Sequence, residues 1–128
     1  MSGVLRRFYE VLDGAAPERT LERLSPDLRF SIVFSTGPGE ARDFAGGLPE
    51  FEGYMDQRGA PTWTHHVLVE SQEGDVEVVL GETRQHGAPL ATFVAAVRLA
   101  ADGRIDRYVV GRSPSVLFDL DAGAHRLS

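Results

Sequence analysis

The two adjacent histidines in Trp63-Thr64-His65-His66-Val67 are the side chains of this 128-residue chain best suited to moving a proton. An imidazole titrates near neutrality. It works as a general acid or base when a carboxylate orients it and its second ring nitrogen stays open. Both rings lie at the start of an expected strand, where successive side chains point to opposite faces. One of the two therefore faces the interior and the other does not.

The turn Gln72-Glu73-Gly74-Asp75 gives a register for the hairpin that carries them. With Glu73 and Gly74 as the loop, Val69 faces Val78, Val67 faces Leu80, His65 faces Glu82 and Trp63 faces Arg84, all on one side. The other side sets Glu70 opposite Glu77 and His66 opposite Gly81. Like charges directly opposed belong in water, so this register places His65 inside with Glu82 as its orienting carboxylate. Trp63 then meets Arg84 in cation–π geometry. A His–Glu pair of this kind also serves simply as a cross-strand ion pair that fixes register. A single bulge reverses the whole assignment, because a one-residue slip flips every side chain.

The elements that must position these residues follow from periodicity. Val4, Leu5, Phe8, Val11 and Leu12 fall at helical spacing, which predicts a first helix over roughly 3–13 closed by Gly14. Ala16-Pro17-Glu18 opens a short second helix ended by Ser25-Pro26. Phe30, Ile32 and Phe34 alternate along a strand over 28–35, and a short strand is expected around 42–44. Leu48-Pro49-Glu50 starts a third helix with Phe51, Tyr54 and Met55 on one face, which stops near 59–61. Strands at about 62–71, 76–86, 89–100 and 104–112 form a meander joined by glycine-containing turns. Helices segregated from an antiparallel sheet define an α+β class.

Composition narrows the function classes. The length and the 42% hydrophobic share suit one globular domain with a real core; residues 1–120 are read as that domain and 121–128 as a C-terminal tail. With no cysteine, disulfides and thiolate metal sites are excluded. The net charge of −6 and scattered arginines, with no lysine, argue against a nucleic-acid partner. No apolar run is long enough to span a membrane, and no signal peptide is evident, so a cytoplasmic location is expected. The histidines show no HxH or HExxH spacing, so no metal site is expected. Neither a phosphate loop nor a nucleophile elbow is present.

The stretches "RFYEVLDGAAPERTLERLSPDLRF", "FAGGLPEFEGYMDQR" and "DGRIDRYVVGR", in this order, resemble the SnoaL-like branch of the nuclear transport factor 2-like superfamily over nearly the whole chain. The resemblance implies a curved, mostly antiparallel sheet wrapped around helices, cone-shaped, with an apolar pocket at its open end. It also implies a range of activities: polyketide cyclases, ketosteroid isomerases, epoxide hydrolases, scytalone dehydratase-like lyases and non-catalytic modules. Fold does not choose among them. The isomerase acid pair is absent, because Ala95 and the carboxylate-free "FSTGPG" stand at its positions. No epoxide hydrolase triad is evident. The dehydratase-type pattern fits better: Asp13 matches its acid near the end of the first helix, and Thr64-His65-His66 matches its T-x-H through His66. His86 is a loose match for the second histidine, and Leu12 and Ile32 replace the tyrosines of that pattern.

Taken together, these readings predict a cofactor-free protein acting on a hydrophobic, polyketide-like small molecule by cyclisation, isomerisation or dehydration. His65 or His66 is the acid/base, oriented by Glu82 or Asp13, with Arg84 at the oxyanion. Tyr9, Phe30, Ile32, Phe34, Tyr54, Trp63 and Phe93 are expected to line the pocket. A homodimer through the outer sheet face, where Thr92, Val94 and Ala96 are small, is the expected assembly. The alternative is a non-catalytic ligand-binding or dimerisation module with the same fold.

Overall fold

The computed structural model describes residues 3–37, 40–59, 61–120 and 125–126, with backbone alone for 34–37, 40–42 and 125–126. The elements run α1 (Val4–Leu12), a 3-10 helix (Pro17–Arg23), β1 (Leu24–Gly37), β2 (Glu40–Gly46), α2 (Leu48–Arg58), β3 (Trp63–Glu73), β4 (Val76–Gln85), β5 (Ala88–Leu99), β6 (Ile105–Ser113) and β7 (His125–Arg126). All strands join one sheet in the order β2-β1-β6-β5-β4-β3-β7. Its pairs are antiparallel except β1–β6 and β3–β7. The segment expected as a tail thus contributes a two-residue strand beside Val69 and Glu70. β1 starts four residues earlier than expected, and an irregular register between Leu24 and Arg29 accommodates Pro26.

The architecture is the expected α+β one, with the sheet curved around the helices. Extra residues in β3, β5 and β6, each shifting the register with the neighbouring strand, supply part of that curvature. α1 fills the concave side with Leu5, Phe8, Tyr9 and Leu12, at the expected helical spacing. Inner-face residues of β1, β5 and β6 close on them, including Ile32, Phe93, Ala95, Tyr108 and Val110.

α1 has no side-chain cap of its own, since Gly3 precedes it. Glu77 of β4 does that work from across the fold. Its carboxylate accepts the backbone N–H groups of Gly3 (2.9 Å), Val4 (3.2 Å) and Leu5 (2.8 Å). A negative charge at a helix N-terminus satisfies orphan donors and opposes the helix dipole. This is why Glu77 is only 2% exposed.

The buried Glu77 overturns the expected hairpin. The turn is Gly74-Asp75, with Glu73 paired to Val76, and Glu70 lies opposite Val79 rather than Glu77. Near the turn the face with Glu70, Glu77 and Val79 points inward, while Val78 is 44% exposed. Arg6 reaches to 3.7 Å of the buried Glu70. A bulge at Leu68 then follows. Val67 pairs with Gly81 and Val69 with Leu80, leaving Leu68 between them, so Val67 and Leu68 are both buried. Beyond the bulge the odd-numbered residues of β3 face inward, and His65 is among them.

Candidate active site

Asp13 sits at the C-terminal end of α1, where its backbone N–H still bonds the Tyr9 carbonyl at 2.9 Å. A carboxylate there runs against the helix dipole, and its partners explain the placement. The backbone N–H of His65 donates to Oδ2 at 2.6 Å, and His65 Nδ1 lies 3.1 and 3.2 Å from the two carboxylate oxygens. On the other side Arg58 donates from Nη2 to Oδ1 at 3.4 Å. Both members of the Asp13–His65 pair are 9% exposed.

An ionised carboxylate only accepts, so Nδ1 carries the proton and Nε2 presents a lone pair. None of the described residues bonds Nε2. The ring is locked on three sides. Tyr9 stacks on it with centroids 4.2 Å apart and planes at 12°, and Phe93 and Trp63 meet it edge-on at 5.3 and 5.0 Å. Burial lowers the His65 pKa from its ordinary value and Arg58 and Arg112 push the same way, while Asp13 partly offsets them. The imidazole is therefore neutral at neutral pH, the form a base needs.

Phe93 reaches this position because Gly81 stands opposite it. A Cβ on Gly81 would come within 2.3 Å of the Phe93 ring. A glycine inside a strand thus marks a close approach here.

His65 borders a small enclosed cavity with Phe8, Leu12, Ile32, Phe51, Tyr54, Phe93, Tyr108, Val110 and Arg112. Its volume is about 10 Å³, room for roughly one water. On its other flank His65, with Tyr9 and Asp13, lines a surface groove of about 310 Å³ between α1 and β3. Tyr9 and Tyr108 join their hydroxyls at 2.9 Å inside the core. Burial raises both phenol pKa values, so both stay protonated. Tyr54 also borders the cavity, and burial raises its pKa against the pull of Arg58 and Arg112.

The other expected site residues fall in different places. His66 points to the outer face, where its Nε2 meets the Thr64 hydroxyl at 2.7 Å. The ring that faces the interior is therefore that of His65, not of His66, to which the dehydratase-type resemblance pointed. Glu82 and Arg84 do not reach His65. They bond each other on the outer face of β4, because the bulge in β3 leaves β4 in its original phase. Trp63 does not meet Arg84. Its ring takes Arg112 at 4.4 Å and Arg58 at 5.4 Å. His86 is exposed in the β4–β5 turn with φ 51°, away from the dyad. Phe30 is core, packed edge-on against Phe51 rather than bordering the cavity. The side chain of Phe34 lies outside the described residues.

Arg58, Tyr108 and Arg112 escaped the sequence reading, though each had a signal. Arg58 follows Phe51 and Tyr54 by seven and four residues, on the same helical face. Tyr108, Val110 and Arg112 alternate along β6 toward the core.

A curved sheet around a helix that ends in a buried carboxylate–histidine pair defines an α+β cone fold with a polar site in its interior. No family model and no curated protein matches the sequence. Solved structures do match the fold. One is wild-type IdmH, a candidate polyketide cyclase from Streptomyces antibioticus. It is 21% identical, with 85% of this chain and 88% of that chain covered and a TM-score of 0.64. Another is a candidate isomerase of the SnoaL-like family from Agrobacterium tumefaciens str. C58, at 14% identity, 85% and 94% coverage and a TM-score of 0.61. A third is a de novo designed protein with a curved β-sheet, at 21% identity, 87% and 83% coverage and a TM-score of 0.63. The chain has the SnoaL-like, nuclear transport factor 2-like fold. The designed protein shares that shape, so the shape alone does not carry an activity.

Proposed function

We propose that the chain is a cofactor-free cyclase, isomerase or dehydratase for an apolar, polyketide-like small molecule, with His65 as general acid/base. The observation that carries this reading is the Asp13–His65 pair, with Nδ1 held by the carboxylate and Nε2 unbonded beside the cavity. In the first step Nε2 takes a proton from a carbon next to a carbonyl. The imidazolium so formed is balanced by Asp13, and the electron pair moves onto the carbonyl oxygen as an enolate. Returning the proton to another atom isomerises the substrate. Attack of the enolate carbon on a second carbonyl closes a ring, and the alkoxide so formed takes the proton back from the imidazolium. Loss of a hydroxide from the neighbouring carbon, protonated by the same imidazolium, dehydrates it. A ligand larger than one water enters only when the cavity walls part.

Deuterium exchange into 2-acetyl-1-tetralone, an apolar β-diketone, tests the reading. Wild type is expected to catalyse exchange, and His65→Gln to lose about 100-fold or more of it. The rate should rise with pH through a midpoint below the ordinary histidine value of 6.5 and stay flat above it, because only the neutral ring accepts a proton. Equal exchange by wild type and His65→Gln would refute the reading.

The small cavity favours a second reading, a non-catalytic module of the same fold in which the pair only braces α1 against β3. In either case the assembly we favour is a cytoplasmic homodimer through the outer sheet face. Val78, Val94 and Val109 are exposed there beside Thr92 and Ala96.

A further inference from the structure

Arg58 is the one described side chain that enters the core with a donor left over. Its side chain is 5% exposed, its Nη2 makes a long contact to Asp13, the Tyr54 hydroxyl is within hydrogen-bonding reach of the guanidinium, and its Nε is buried with no hydrogen-bond partner. Asp13 is already engaged by two shorter donors from His65. A buried guanidinium satisfied this incompletely is costly unless something else completes it. Arg112, half-buried on β6, borders the cavity itself and reaches the same indole as Arg58. The two like charges are close enough to feel each other: after burial, Arg58 is among the causes that lower the Arg112 pKa. Guanidinium forks match a carboxylate in shape and charge. Trp63 and Tyr54 beside them give a flat apolar skeleton something to lie on.

We propose that Arg58 and Arg112, both against Trp63 and beside His65, form a carboxylate subsite, so that the substrate is an apolar acid held by its carboxylate with its carbon skeleton against the aromatic wall. This deepens the active-site reading and rests on it for the cavity, but it is read by binding rather than by turnover.

The test compares 2-naphthoate with its neutral isostere 2-naphthamide, followed through the indole signal of Trp63, the only tryptophan in the chain. Wild type should bind the naphthoate about tenfold or more tightly than the amide, the worth of a charge-assisted pair. Arg112→Gln should bring the two affinities together by weakening the acid alone, and Arg112→Lys should restore part of the preference. His65→Gln should keep the preference whatever it does to exchange. Equal wild-type affinities, a preference that survives in both Arg112→Gln and Arg58→Gln, or binding of neither compound would overturn the subsite. Unchanged deuterium exchange in His65→Gln, with the acid preference intact, would overturn only the base.

Discussion

Two buried carboxylates stand at opposite ends of α1, and their surroundings differ in kind. Glu77 meets the N-terminus, where three backbone N–H groups and the helix dipole all favour its charge. Asp13 occupies the C-terminus, where the dipole disfavours it, and its partners are an imidazole and a guanidinium. The first arrangement is what stability alone would select. The second gives up helix stability to hold a histidine in one tautomer, and local rules are broken in this way where a site has a task.

The largest stability effect expected from this contrast comes from Asp13→Asn, which leaves Arg58 buried without its counter-charge. Urea unfolding should register a loss of about 3 kcal/mol. In the same variant the His65 pKa should fall further, because the carboxylate that raised it is gone. An unchanged His65 titration would mean that the two side chains do not interact in solution.

Glu77→Gln should cost somewhat less, about 2 kcal/mol, since an amide still accepts one of the three N–H groups. It should leave the titration of His65 untouched. A shift of His65 in this variant would erase the distinction between the two ends of the helix. The smallest effect is expected from His66→Ala, within about 0.5 kcal/mol of wild type as for other surface changes. Exchange should be unaltered, because the ring lies on the outer face with Thr64.

The helices were legible because their apolar spacing is regular: Leu5, Phe8 and Leu12 in α1, Phe51 and Tyr54 in α2. The meander followed from its glycine turns. The faces of the hairpin were not legible. The expected register set Glu70 opposite Glu77, but the two are not opposed, and Glu77 caps a distant helix, which no local feature of Val76-Glu77-Val78 announces. The reversed face near the turn and the bulge at Leu68 then cancel on β3, so His65 does lie inside. They do not cancel on β4, so Arg84 and Glu82, itself buried, lie on the outer face. Asp13 was visible only through family resemblance, since its partners are 45 and 52 residues away in sequence.

The account stands on His65 being a neutral ring with Nδ1 protonated and Nε2 bare. Long-range ¹H–¹⁵N correlation spectra of the histidine rings, recorded across pH, test this directly. The expected result is a His65 that is the Nδ1–H tautomer at neutral pH and titrates below the ordinary value of 6.5. An Nε2–H tautomer, or a ring still charged at pH 7, would contradict the orientation by Asp13 and remove the base.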